Sequence, residues 1–228
     1  MTVTSTPPTN VGEAPLPRLR RLRLVPVIVI DDPENAVPLA GALEAGGLPC
    51  AEITFRTPRA AEALRRIRDE RPNVLRGAGT VLTTVQAAEA CHAGAQFVVA
   101  PGFSPAVVDY CLDHDVAVFP GIATCTELEA VLAKGLRVVK FFPAEPLGGI
   151  AYLKAMSAPY ESDVGFMPSG GISISNIGDY LSFSRVVSCG GSWIAPNDLI
   201  AGRQFDRIQR NAEEAVAAAS KFAGTPAA

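Results

Sequence analysis

The chain has no C-x-x-C pair, only two histidines, no long apolar run and no excess of basic charge, and each shortage removes a class of protein. The five cysteines, Cys50, Cys91, Cys111, Cys125 and Cys189, are scattered, which argues for reduced thiols over disulfides or a zinc site. His92 and His114 fall near the C-terminal ends of helical segments, where the helix dipole favours them. With no clustered set of ligands, neither a metal nor another cofactor is expected. A net charge of -3 leaves no electrostatic footprint for nucleic acid or an anionic membrane. The short basic run from Arg18 to Leu24 reads as a solvated helix or a lead-in to the first strand. No apolar stretch is long enough to span a membrane, and residues 1–24 lack the apolar segment of a secretory signal, so the cytoplasm is the expected location. No G-x-G-x-x-G turn follows the first strand-like run, which argues against a dinucleotide-binding sheet.

What is present is hydrophobic material for a large core: 48% of 228 residues are apolar and 19% charged. Residues 1–17, rich in Pro and Thr, read as a flexible N-terminal tail, and residues 18–228 as a single domain. Short apolar runs recur at Val25–Ile30, Cys50–Phe55, Leu75–Thr80, Gln96–Pro101, Val116–Gly121, Val138–Pro143, Gly165–Gly170 and Val186–Gly191. Their starts lie 20 to 27 residues apart, and most intervals hold a helix-period stretch, the spacing of repeated βα units. Pro33, Pro58, Thr83 or Thr84, and Pro105 punctuate helix starts, Thr126 precedes Glu127 in another helix, and one long closing helix is expected from Asn197 to Phe222. Eight such units predict an α/β chain folded as a (β/α)8 barrel, the TIM-barrel fold; a doubly wound open sheet is the alternative.

Lys140 stands in the middle of the sixth apolar run, Val138 to Pro143. Burying an unpaired ammonium is costly, and an amine that gives up its proton in an apolar pocket is the nucleophile that Schiff-base chemistry needs. A lysine that snorkels or pairs with a carboxylate is the competing reading. In the second run, alternation puts Glu52, Thr54 and Arg56 on one face, with Glu52 and Arg56 about 13 Å apart at roughly 3.3 Å per residue, too far to neutralise each other. Glu52 beside Lys140 forms a proton shuttle, and Arg56 at the strand tip can grip a carboxylate by paired hydrogen bonds. Thr80 ends the third run and can reach a second carboxylate oxygen. Ser169-Gly170-Gly171 and Gly190-Gly191-Ser192 end the seventh and eighth runs, where barrels recurrently bind phosphate on free backbone N–H groups; tight turns are the competing reading.

The ordered series V-P-V-I-V, E-I-T-F-R-T, G-A-G-T-V-L, P-G-F, F-P-G-I-A-T, K-F-F-P-A-E, P-S-G-G-I-S and G-G-S-W, from Val25 towards Phe222, resembles the 2-keto-3-deoxy-6-phosphogluconate aldolase and 4-hydroxy-2-oxoglutarate aldolase family. The resemblance implies a metal-independent class I aldolase on a (β/α)8 barrel, commonly a homotrimer, acting on a phosphorylated 2-keto acid. By motif, Lys140 is the Schiff-base lysine and Glu52 the general acid/base. Arg56 and Thr80 hold the pyruvate carboxylate, while Gly170, Gly171, Gly191 and Ser192 hold the phosphate. Ser169 replaces a threonine found in many relatives, keeping the hydroxyl and losing a methyl. The expected reaction is reversible cleavage of 2-keto-3-deoxy-6-phosphogluconate to pyruvate and glyceraldehyde 3-phosphate. The alternatives are 4-hydroxy-2-oxoglutarate or a galactonate-derived epimer on the same site, a phosphosugar isomerase or epimerase, and a non-catalytic sugar-phosphate barrel.

Overall fold

A computed structural model of the chain describes residues 14–222. The basic run folds as helix α1 (Leu16–Leu22), which begins inside the segment expected to be a tail; residues 1–13 lie outside the described residues. There follow β1 (Leu24–Ile28), α2 (Ala36–Ala45), β2 (Cys50–Thr54), α3 (Ala60–Glu70), β3 (Leu75–Gly79), α4 (Thr84–Ala93), β4 (Phe97–Val99), α5 (Pro105–Asp113), β5 (Ala117–Phe119) and β6 (Gly121–Ile122). The second half holds α6 (Cys125–Ala133), β7 (Val138–Phe141), α7 (Gly149–Ser157), β8 (Gly165–Pro168), α8 (Ile177–Leu181), β9 (Cys189–Gly191), α9 (Asn197–Ala201) and α10 (Phe205–Ser220).

Every strand pairing is parallel, in the order β5-β4-β3-β2-β1-β9 in one curled sheet and β6-β7-β8 in another. The expectation of one continuous eight-stranded barrel is therefore corrected at two seams. At the first, the fifth run is split by Pro120, which has no N–H to donate to a ladder, although its carbonyl still accepts from Lys140 N–H at 2.9 Å. At the second, β8 meets the last run only through the isolated bridges Phe166 to Val186 and Ser169 to Gly190.

Inward-facing side chains, among them Val25, Cys50, Leu75, Phe97, Phe119, Val138 and Val187, form an apolar cluster with the fully buried Leu19 of α1. That helix thus seals the N-terminal ends of the strands and leaves the C-terminal ends as the face on which polar groups can gather. A larger cluster fills the layer between sheet and helices.

The local signals mostly act where the sequence puts them. Thr83 Oγ1 accepts from Gln86 N–H at 3.2 Å and Pro105 opens α5, as its fixed φ allows. Pro33 begins a short 3-10 turn before α2, and α3 begins at Ala60, two residues beyond Pro58. The cap of α6 is Thr124, in a reciprocal box with Glu127, so Thr126 lies inside the first turn of the helix. The long closing helix is broken: α9 ends before Gly202, and Arg203 adopts φ 53 before α10 begins. His92 lies in the last turn of α4; His114 follows α5, where its ring stacks on Tyr110.

Candidate active site

The C-terminal strand ends enclose a cavity of about 260 Å³. Its lining includes Arg56, Thr80, Lys140, Ser169, Gly170, Gly171, Gly191 and Ser192, so residues from five different strand ends converge on one space. A second space of about 530 Å³ shares Arg56, Gly171 and Ser192 with it and extends the cleft toward Trp193 and Asn197. Of the residues singled out by sequence, only Glu52 does not line the cavity.

Lys140 is carried on β7, where alternation turns it inward between Val139 and Phe141, both fully buried in the outer layer. Its side chain is 8% exposed, with Nζ 5.0 Å from the centre of the Phe142 ring and 3.9 Å from Glu52 Oε1. Phe142 was not anticipated as a site residue; it adjoins the lysine in sequence, and its ring both walls the cavity and faces the cation.

Glu52 is buried on β2, and its Oε1 has no hydrogen-bond partner. Desolvation pushes its carboxyl above the ordinary carboxylate range, against the opposing pull of Lys140 first and Arg56 second. A separation of 3.9 Å is too long for a strong charge-assisted hydrogen bond, which is why burial prevails over the ion pair. The result is a carboxyl group able to take and return a proton under mild conditions. Its closeness to β3 depends on Gly79: a β-carbon there would lie 2.8 Å from Glu52 Cγ and 2.9 Å from Cδ.

Arg56 sits in the turn after β2, exposed at the cavity mouth. Thr54, on the same face as Glu52, gives its hydroxyl to Ile28 O at 2.8 Å and so ties β2 to β1. Thr80 has φ 56, a left-handed conformation that is unusual for a β-branched residue and that the surrounding structure must enforce. In the same lining, Gly170 and Gly171 have φ values of 97 and 84, a pair of conformations that only glycine adopts cheaply. The Ser169 main chain is fixed on both sides, donating to Phe141 O at 3.0 Å and accepting from Ala144 N–H at 2.8 Å. Among the described residues, no group of three or more His, Cys, Asp and Glu side chains could hold a metal, and no helix is long and apolar enough to cross a membrane.

Residues 17–211 match the family model for KDPG and KHG aldolase. The chain is 53% identical to the 2-dehydro-3-deoxy-phosphogluconate aldolase of Treponema pallidum over 190 residues, which is 83% of this chain and 90% of the relative. The structure resembles the KDPG aldolase of Legionella pneumophila with pyruvate captured as a covalent carbinolamine, at TM-score 0.84 and 38% identity over 87% of this chain and 96% of that one. It also resembles the 2-keto-3-deoxy-6-phosphogluconate aldolase of Zymomonas mobilis with 3-phosphoglycerate, at TM-score 0.81 and 38% identity over 89% and 95% of the two chains. A cleft with one buried lysine facing a buried carboxyl, on a chain so matched over most of its length, places it: the chain belongs to the KDPG and KHG aldolase family of carbon–carbon lyases.

Proposed function

We propose that this chain cleaves 2-keto-3-deoxy-6-phosphogluconate reversibly to pyruvate and glyceraldehyde 3-phosphate through an imine on Lys140. The observation that carries the reading is the buried amine of Lys140 opening into the cavity, with Glu52 Oε1 3.9 Å away and the glycine turns in the same lining. Lys140 Nζ attacks the C2 ketone, and loss of water from the carbinolamine gives a protonated imine. The imine nitrogen then takes up the electron pair released when the C3–C4 bond breaks. Glu52 accepts the C4 hydroxyl proton as the aldehyde forms and returns a proton to C3 of the enamine; because it lies outside the cavity lining, a water carries that proton. Hydrolysis of the resulting imine frees pyruvate and the lysine.

Arg56 and Thr80 hold the C1 carboxylate at the mouth side. Gly170, Gly171, Gly191 and Ser192, with Ser169 beneath them, receive the phosphate on backbone N–H groups and hydroxyls. The anion turns favour a phosphorylated substrate over 4-hydroxy-2-oxoglutarate, and comparing kcat/KM for the two decides between them. The same proposal takes the working molecule as a cytoplasmic homotrimer, whose mass in solution is measurable by light scattering.

The test is covalent. Incubation with pyruvate and borohydride should place a reduced adduct on the peptide carrying Lys140, and Lys140→Ala should abolish it. A folded wild-type protein that forms no adduct removes the imine from the mechanism, and a variant that still forms one removes Lys140 from that role.

A further inference from the structure

The turn after β8 is tied back into the fold at every carbonyl. Ser169 O accepts from Ala144 N–H at 2.8 Å, Gly170 O from Glu145 N–H at 3.0 Å, and Gly171 O from Asn176 Nδ2 at 3.1 Å. In a trans peptide the C=O and the following N–H point in opposite directions. Pulling these carbonyls toward the body therefore turns the N–H groups of Gly170, Gly171 and Ile172 the other way. All three residues line the cavity; the Ser169–Gly190 bridge turns Gly170 N–H toward Gly190, while among the described residues neither the Gly171 nor the Ile172 N–H has a hydrogen-bond acceptor.

Glu145 occupies a sensitive place in this arrangement. Its side chain packs under the turn, so that a β-carbon on Gly171 would lie 2.6 Å from Glu145 Cβ. A carboxylate beside an anion site repels what the site should hold, unless it is held elsewhere. It is held: Glu145 Oε1 accepts a short hydrogen bond from the hydroxyl of Tyr180, a residue of α8 that is 1% exposed. Burial first, and the Glu145 bond second, hold the Tyr180 phenol above its ordinary value, so it remains a donor across the physiological range. Asn176 is fixed in turn by accepting from Ser173 N–H at 2.8 Å.

We propose that Tyr180, Glu145 and Asn176 are positioning residues for the substrate phosphate: the Glu145 main chain and the Asn176 amide aim the turn's N–H groups into the cavity, while Tyr180 keeps the Glu145 carboxylate turned away from the anion. This rests on the aldolase reading above and adds to it the origin of phosphate selectivity. None of the three lines the cavity, so each acts through the turn.

Tyr180→Phe removes one hydroxyl from a packed ring, and Asn176→Ala removes one amide. Each is assayed in the condensation direction with pyruvate and either glyceraldehyde 3-phosphate or unphosphorylated glyceraldehyde, and by calorimetric titration with inorganic phosphate, after a thermal melt establishes folding. In both variants kcat/KM for the phosphorylated aldehyde should fall about tenfold, the effect of misaiming one turn N–H that would otherwise donate to the phosphate. The unphosphorylated aldehyde should be used as well as before, and the Kd for phosphate should rise by the same factor. Equal losses on both aldehydes, or an unchanged phosphate Kd, overturn the proposal in favour of a merely structural role. If the wild type fails to trap pyruvate on Lys140, the aldolase reading falls by itself, and the phosphate titration still judges the positioning residues.

Discussion

Gly79→Ala tests the role of Glu52 without removing it. A β-carbon at this position would lie 2.8 Å from Glu52 Cγ and 2.9 Å from Cδ, whereas ordinary contact begins near 3.4 Å, so the carboxyl arm must retreat by about 0.6 Å or more. The main chain cannot supply that movement cheaply, because β3 is paired on one side to β2, with Gly79 opposite Thr54 and Gly77 opposite Glu52, and on the other to β4. Glu52 must therefore move, and with it the Oε1 that faces Lys140 at 3.9 Å. A misplacement near 1 Å costs on the order of 100-fold in rate. Overpacking the interior should also destabilise the fold by about 1–3 kcal/mol, lowering Tm by about 2–12 °C for a chain of this size.

The assay has three parts: kcat for cleavage, borohydride trapping with pyruvate, and a double-mutant cycle with Glu52→Gln. Turnover should fall while trapping persists, since the lysine itself is untouched. Glu52→Gln alone should lower kcat by about 100- to 10,000-fold, the usual contribution of a general base. If Gly79→Ala acts through the carboxyl, adding it to Glu52→Gln should cost less than about threefold more. Multiplicative losses in the double variant, or a kcat for Gly79→Ala within about threefold of wild type, would refute the assignment of Glu52 as the proton carrier.

Two further outcomes follow from the site's geometry. Thr80→Gly relieves a left-handed conformation that costs a non-glycine residue about 1–2 kcal/mol, so a melt should show Tm unchanged or raised by about 2–4 °C. The lost hydroxyl should nevertheless raise the KM for pyruvate in condensation about tenfold, and a lowered Tm with unchanged KM would contradict both halves. For pH, the folded Glu52 holds its proton more tightly than the unfolded chain does, so folding takes up a proton between the ordinary carboxylate range and the raised folded value. The Glu52 contribution to stability is thus best below the unfolded pKa and declines as pH rises through the folded one. Denaturant titrations across that window should show wild type losing stability relative to Glu52→Gln as pH rises, and an opposite slope would mean that the Lys140 ion pair outweighs burial.

Much of this was legible in the residues because it is local. An isolated lysine in the run Val138 to Pro143, alternation that turns Glu52 inward, and two glycine pairs after strand-like runs are properties of short stretches, and period-two alternation transfers them directly to a face. Most strand positions, the cap at Thr83, the helix start at Pro105, and the gathering of polar groups at the C-terminal strand ends follow from the same short-range rules. The departures lie where distant neighbours decide. Pro120 reads as a strand residue by hydrophobicity, but the ladder around it depends on which N–H groups its neighbours require. The break between α9 and α10 falls at Gly202 and Arg203 within an otherwise helical composition.

What the sequence determined by itself, then, was the inventory: which amine, which carboxyl and which glycine turns the chain carries, and on which side of each strand they fall. What only the tertiary structure decided was their coupling. Glu52 and Lys140 are 88 residues apart in the chain yet 3.9 Å apart in space, with Glu52 Oε1 buried and without a hydrogen-bond partner. Tyr180 and Glu145 meet only because α8 packs beneath the turn that follows β8. A pKa shift, a clasp under a loop and a strained Thr80 each require groups from separate elements to be pressed together at fixed distances. No short stretch of sequence contains that information, since desolvation and electrostatics depend on everything within a few ångströms rather than on neighbours along the chain.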